Sequence, residues 1–328
     1  MDKLRFDEFE GVSQEKYLEK IRQELKDQSL EKIIEKNAVD GIHYSPVNLH
    51  EKKSIPDHIS IPLSNNATWK THLHVHNFWK NNPSLVKTAS ALSGSLAIDI
   101  ASPKDIAAFL ESCPSVPESL VVFPEFEFDS WLSKDHQVNL PTSISEGWIV
   151  CDPLLNGYNH NDGIYTPPDV TQFFEYLEWV KQHSNLKGIT VQSCNIKDAG
   201  ASIVQELAFT LNLINEYFVL ANSTNIAADQ IHNHLVISMA HHTDFFLEIA
   251  KYRAMRLLYR TLSKTHGVQS AASPQIHGRD SLLKLSRMDA DLNLLRHTTG
   301  AMSAIVGGAD YVECALHSLQ TDDADNAV

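Results

Sequence analysis

Between Asp198 and Arg260 the chain carries two long helical stretches, DAGASIVQELAFTLNLINEYF and DFFLEIAKYRAMRLLYR, on either side of a short apolar run from Leu235 to Met239. A run too short and too uniformly apolar for an amphipathic helix, set between two such helices, is the unit of a parallel sheet: the strand is buried on both faces and each crossover is helical. The unit recurs along the chain. Candidate strands fall at Leu96 to Ile100, Ser119 to Phe123, Gly147 to Cys151, Gly188 to Gln192, His234 to Met239 and Asp310 to Ala315, with a weaker one at Ser273 to Ile276. Candidate helices span Pro103 to Glu111, Asp169 to His183, Ala201 to Leu220, Asp244 to His266 and Asp291 to Val306. The alternation predicts an α/β fold, and a TIM-type (β/α)8 barrel is its natural closed form, because such barrels take about 250 residues and carry their sites at the strand C-termini. Only six or seven strands are legible, so the barrel is expected to be incomplete at its C-terminal end.

The expected organisation is an N-terminal helical arm and linker over residues 1–66, a barrel domain over 67–318 and an acidic, disordered tail over 319–328. In the arm, Ser13 precedes Tyr17, Ile21 and Leu25 at helical spacing and is the expected N-cap. A second helical patch runs from Leu30 to Ile34, Asp40-Gly41 marks a turn, Pro46 excludes a continuing helix, and the Pro- and Asn-containing stretch 48–66 reads as linker.

Charge narrows the function classes. With 41 acidic against 27 basic residues the formal charge is -14, which opposes binding to phosphate backbones and anionic lipid. No apolar run approaches the roughly 20 residues that span a bilayer, and MDKLRFDEFEG has no signal core, so a cytoplasmic protein is expected. Cys113, Cys151, Cys194 and Cys314 lack CxxC spacing and read as buried, unreactive thiols in a reducing compartment.

Several phrases have purely structural readings. Ala199-Gly200-Ala201 is a small-residue turn into a helix whose Leu207, Leu211 and Ile214 face inward, and Gly307-Gly308 ends a helix before the next strand. In DFFLEIAKYRAMRLLYR, an expected apolar stripe of Phe246, Ile249, Ala250, Leu257 and Tyr259 borders Arg253, Arg256 and Arg260, which a solvated face explains without a ligand. His72, His74 and His76 alternate, so in a strand they share one face, a possible metal site without an acidic fourth ligand nearby in sequence; no metal is assigned.

The phrases AGAS..QELAF, FFLEIAK.RA.RLL and LLR.TT.A..A..GGAD occur in an order that resembles the methylmalonyl-CoA mutase family, and FDEFEGVSQEKYLEKIRQELKDQSLEKIIEKNAVDGIHYSPVNL at 6–49 resembles the arm of its small subunits. The resemblance covers 198–260 and 292–318 best and is poor between about 50 and 145. It implies a cobalamin-dependent isomerase complex in which a large subunit interconverts methylmalonyl-CoA and succinyl-CoA. Active relatives take a cobalt-ligating histidine from a DxHxxG phrase that does not occur in this sequence, so adenosylcobalamin is expected in the complex and not on this chain alone.

The same resemblance implies a degenerate substrate pocket at Asn195, His234, His241 and Met288. Asn195 in SCNIKDAGA stands where active members place a histidine; it donates a hydrogen bond but transfers no proton near neutrality. His234 stands where they place an arginine, and imidazole lacks that five-donor fork. Met288 in MDADLN stands where they place a glutamine, and His241-His242 fall in a solvated loop at the mouth. No residue is assigned a confident catalytic role. The expected function is therefore a noncatalytic small subunit, a heterodimer partner of a cobalamin-bearing large subunit, with two alternatives: an active acyl-CoA isomerase that borrows cobalamin, or a decayed acyl-CoA-binding homologue.

Overall fold

In the computed structural model the described residues are 12–25, 35–37, 39–44, 69–75, 77–80, 82–125, 144–156, 165, 167–183, 185–270 and 273–316. The patch at Leu30 to Ile34, the 48–66 stretch, His76 and the 319–328 tail lie outside them. The chain divides into two compact units, Met1–Ser60 and Ile61–Val328.

In the first unit, α1 (Gln14–Glu24) starts where Ser13 Oγ accepts the Lys16 N–H at 3.3 Å, a cap that satisfies one of the free amides of the first turn. Strands β1 (Glu35–Asn37) and β2 (Ile42–Tyr44) pair antiparallel, and the turn between them uses Gly41 at φ +66°.

The second unit alternates strand and helix: β3 (Lys70–Thr71), β4 (Leu73–His74), α2 (Pro83–Leu92), β5 (Ser95–Ile100), α3 (Lys104–Ser112), β6 (Ser119–Pro124), β7 (Glu146–Ile149), α4 (Pro153–Asn156), α5 (Val170–His183), β8 (Ile189–Gln192), α6 (Ser193–Asp198), α7 (Ile203–Ser223), α8 (Ala228–His234), β9 (Leu235–His241), α9 (Phe245–Thr265), β10 (Gln275–Asp280), α10 (Ala290–Gly307) and β11 (Tyr311–Glu313). The strands form two parallel sheets, in the orders β3-β11-β10-β9-β8 and β4-β5-β6-β7.

Backbone hydrogen bonds also run between the two sheets. Residues 70–74 form one extended stretch that belongs to both: the His72 N–H donates to Val312 O at 3.2 Å and the Val75 N–H to Ala97 O at 2.8 Å. On the far side, the Ile149 N–H donates to Lys187 O at 2.8 Å and the Thr190 N–H to Cys151 O at 2.9 Å. The candidate strand at Asp310 to Ala315 is present as β11, which pairs with β10 on one side and β3 on the other. The stretch 70–74 was not legible as a strand because its histidines break the apolar pattern.

Local chemistry fixes the helix ends. Ser202 and Gln205 form a reciprocal capping box at α7, and Asp244 and Asp289 cap α9 and α10 by accepting the amides of Leu247 and Leu292. Gly308 closes α10 at φ +100°. Alternate strand positions serve two faces. Leu96, Ile98, Leu120, Val122, Ile189, Val191, Ile237 and Ile276 pack with helix residues such as Phe109, Phe173, Ile214, Phe218 and Met255, each full burial stabilising by roughly 1.5–3 kcal/mol. Ala97, Val121, Trp148, Val150, Val236 and Tyr311, drawn from strands of both sheets, form a second cluster.

Two helix faces differ from expectation. Phe246 is 70% exposed, and α9 buries Leu247, Glu248, Lys251, Tyr252, Met255, Arg256 and Tyr259 instead. Arg256 is no solvated residue: its guanidinium donates to Gly308 O through Nε at 3.1 Å and pairs with Asp310 at 2.9 Å, clamping α9 to the segment before β11. The inward face is polar because its partners are backbone carbonyls and carboxylates, which an apolar periodicity does not register.

Candidate functional site

All strands of the second unit run parallel, so their C-terminal ends gather at one end of the fold, where side chains are not needed to cover helix packing and are available for chemistry. A cavity of about 160 Å³ opens there, lined by Cys194, Asn195, Asp198, Arg279, Asp280, Leu282, Glu313 and Ala315. Asn195 and Asp198 come from α6, immediately after β8; Arg279 and Asp280 end β10; Glu313 ends β11.

The cavity floor is a charged network. Glu313 accepts from Arg279 Nε at 3.3 Å and faces His74 Nδ1 at 3.2 Å, while His74 Nε2 meets Asp99 Oδ1 at 2.9 Å. Burial disfavours charge on His74, but Glu313 and Asp99 outweigh it and raise its pKa to about 9, so the ring is cationic near neutrality. Burial likewise favours a protonated Glu313, yet Arg279 and His74 hold it well below the usual carboxylate range. Arg279 also lies over the Phe123 ring at 4.8 Å, and His74 stacks on the same ring at 4.5 Å.

Below this network the space between strands is filled. His72 bonds Ser119 Oγ at 3.2 Å and packs edge-on to Trp148 at 4.9 Å; His277 packs on Trp148 at 5.0 Å, and Tyr311 on Trp148 at 5.0 Å. Burial, reinforced by His277, keeps His72 neutral. His72 and His74 do share one face, as their alternation implied, with Asp99 and Glu313 supplied from other strands.

Beside the cavity stand two further buried clusters. His241 Nδ1 meets Asp280 Oδ1 at 3.0 Å, and Lys284 and His297 converge on the same carboxylate. Behind β9, Lys251 Nζ contacts Glu206 at 2.8 Å, Glu248 at 2.7 Å and the Ala240 carbonyl at 2.7 Å, and Glu206 accepts the Ala240 N–H at 3.1 Å. Glu206, Glu248 and Lys251 come from the QELAF and FFLEIAK phrases: these phrases build an ion-paired brace between α7, α9 and β9.

Residues 134–328, more than half of the chain, match the sequence profile of methylmalonyl-CoA mutase. The chain belongs to the methylmalonyl-CoA mutase family. It is 31% identical over 182 residues to a methylmalonyl-CoA mutase of Rhizobium meliloti, covering 54% of this chain and 25% of that protein. To the methylmalonyl-CoA mutase small subunit of Streptomyces virginiae it is 33% identical over 132 residues, 40% of this chain and 21% of that one. The small subunit of Porphyromonas gingivalis aligns over 94% of this chain and 53% of its own length at 22% identity. The chain thus spans between about a fifth and a half of these relatives. A Xanthomonas albilineans dihydropteroate synthase structure aligns over 79% of this chain and 90% of its own at 14% identity, with a TM-score of 0.35.

Against this family background the four expected pocket residues separate. Asn195 is exposed on α6, lines the cavity and donates to Gln192 Oε1 at 3.3 Å. His241 is not in a solvated loop: it is the last residue of β9, fully buried, and lies beneath the cavity beside Asp280. His234 ends α8 at the opposite end of β9, away from the cavity, and burial beside Lys187 lowers its pKa to about 4. Met288 is 97% exposed and does not line the cavity. Of the cysteines, Cys151 and Cys194 are buried, but Cys113 is half-buried and Cys314 exposed, so the expectation of four buried thiols holds for two. Arg279, Asp280 and Glu313 carry no signal in the sequence, because the candidate strand at Ser273 to Ile276 stops short of the RD pair that ends β10.

Proposed function

We propose that this chain is the noncatalytic small partner of a cobalamin-bearing large subunit in a methylmalonyl-CoA-type mutase, folded as a closed eight-stranded TIM-type barrel. Two observations support the barrel: residues 70–74 are bonded to both sheets, and β7 is bonded to the segment that carries β8. In that form β3 and β4 count as one strand and the second cluster becomes the barrel interior.

The observation that carries the noncatalytic reading is the filling of that interior. Trp148, Tyr311, His72 and His277 pack on one another, and His74, Glu313 and Arg279 are ion-paired above them. Among the described residues, the cavity at the strand ends measures about 160 Å³, below the roughly 300–1,000 Å³ of ordinary ligand pockets. The residues also do not fit a corrin: His74 at the end of β4, His241 at the end of β9 and His297 within α10 are buried and ion-paired with carboxylates, which leaves their ring nitrogens committed.

A subunit role has its own support. From Leu294 to Val306 the exposed positions of α10 are Leu294, Leu295, Thr298, Thr299, Met302 and Val306, an uncharged face in a chain of net charge -14. Relatives named small subunit make a large mutase chain its natural cover. Coexpression with a cognate large subunit tests this: the two chains co-elute with mutase activity, and Leu295→Lys with Met302→Lys separates them. Free elution of the unaltered chain, or turnover of methylmalonyl-CoA by this chain with only a cobalamin-carrying protein added, overturns the reading.

A further inference from the structure

The cluster around Asp280 has a chemistry that the mutase reading leaves unused. Three potential ligands arrive from three segments: His241 from the end of β9, Asp280 from the end of β10 and Cys314 from just after β11. One donor atom from each of His241, Asp280 and Cys314 lies within 4.8 Å of the others. His297, only 6% exposed, holds the other side of the carboxylate, its Nδ1 2.5 Å from Asp280 Oδ2.

His241 presents a ring nitrogen to the same carboxylate. Its Nε2 lies 3.3 Å from the Glu313 carbonyl, which only accepts, so the proton sits on Nε2 and the lone pair on Nδ1. That lone pair faces Asp280 Oδ1 at 3.0 Å. Two electron-rich atoms this close require a cation, and the Lys284 ammonium fills that part, 3.1 Å from His241 Nδ1 and paired with Asp280. We propose that this cluster is a binding site for a first-row divalent metal of the zinc class, with His241, Asp280 and Cys314 as ligands and Lys284 as the cation that balances the site when no metal is bound. The N, O, S donor set is borderline-soft and suits zinc, with a fourth position left to solvent. The orienting groups around such a site are also in place: the Glu313 carbonyl holds His241, and the Ala315 N–H donates to Asp280 Oδ2 at 2.8 Å, tying the backbone beside Cys314 to the carboxylate. Exposure of Cys314 provides the route of entry.

Titration of the metal-stripped full chain with Co2+, followed by absorption, tests the proposal. One equivalent produces tetrahedral ligand-field bands and a thiolate-to-cobalt charge-transfer band, all bleached by Zn2+. Cys314→Ser, at an exposed position that does not threaten folding, removes the charge-transfer band, and Lys284→Met lowers the Co2+ dissociation constant as the competing ammonium is lost. Absence of the band in the parent chain, or its survival in Cys314→Ser, overturns the proposal and leaves an ion-pair network; these two proteins decide the matter even if Lys284→Met fails to fold.

Discussion

The strands β4 to β7 and the strands β8 to β11 share one parallel architecture and one apolar core against the helices, and they differ in the buried charge around them. In the first group the buried positions are Leu96, Ile98, Ile100, Leu120, Val122 and Ile149, packed on helices by apolar burial. In the second, Glu206, Glu248, Lys251, Arg256, Asp280, Lys284 and Glu313 are all buried. Apolar packing tolerates loss of a methyl group, because neighbours partly relax around the gap. Buried charge tolerates no such loss, because removing one partner leaves the other desolvated and alone. The contrast teaches that this fold has one half that is graded in its response to mutation and one that is brittle and pH-dependent.

The largest expected effect tests brittleness directly. Lys251→Met leaves Glu206 and Glu248 buried without their shared cation, and urea unfolding of the variant is expected to lose about 3–5 kcal/mol. A cost under about 1 kcal/mol would mean that the second group is held by packing after all. Next comes pH, through His74, which bridges the two groups by touching Asp99 of β5 and Glu313 of β11. Its folded pKa of about 9 exceeds the ordinary 6.5. The sign follows: its stabilisation is full below about 6.5 and is lost as pH climbs through about 9, at most about 3 kcal/mol. Unfolding midpoints should fall across that window in the parent chain and fall less in His74→Gln; identical slopes refute the bridge. The smallest effect belongs to the apolar group, where Ile98→Val is expected to cost about 1 kcal/mol by thermal or urea unfolding.

The same contrast explains what the sequence disclosed. Leu96–Ile100 and Leu235–Met239 are legible as strands because four of five residues in each are apolar, and Ser13, Asp244 and Gly308 are legible as helix ends because capping is local chemistry. Ser273 to Ile276 carries only a weak apolar strand signal and 70–74 carries none, since the inward positions in and beyond them are His72, His74, His277 and Arg279. Phe246 was expected inside and Arg256 outside, each by the rule that apolar means buried, which fails where a helix packs against carbonyls and carboxylates. Short α6 and α8 left no periodic trace. In the site, Asn195 and His241 were placed near the cavity by family resemblance, but the charges that form its floor come from strands far apart in sequence, and only the fold brings them together.

His74 and Glu313 meet across a separation of 239 residues. A ribosome making this chain must therefore release almost all of it before the first strand can find the last, and until then the exposed edges of a half-built sheet stay open to wrong partners. Dependence on chaperones during synthesis, and a slow final docking step in refolding from urea, are the natural companions of that late handshake.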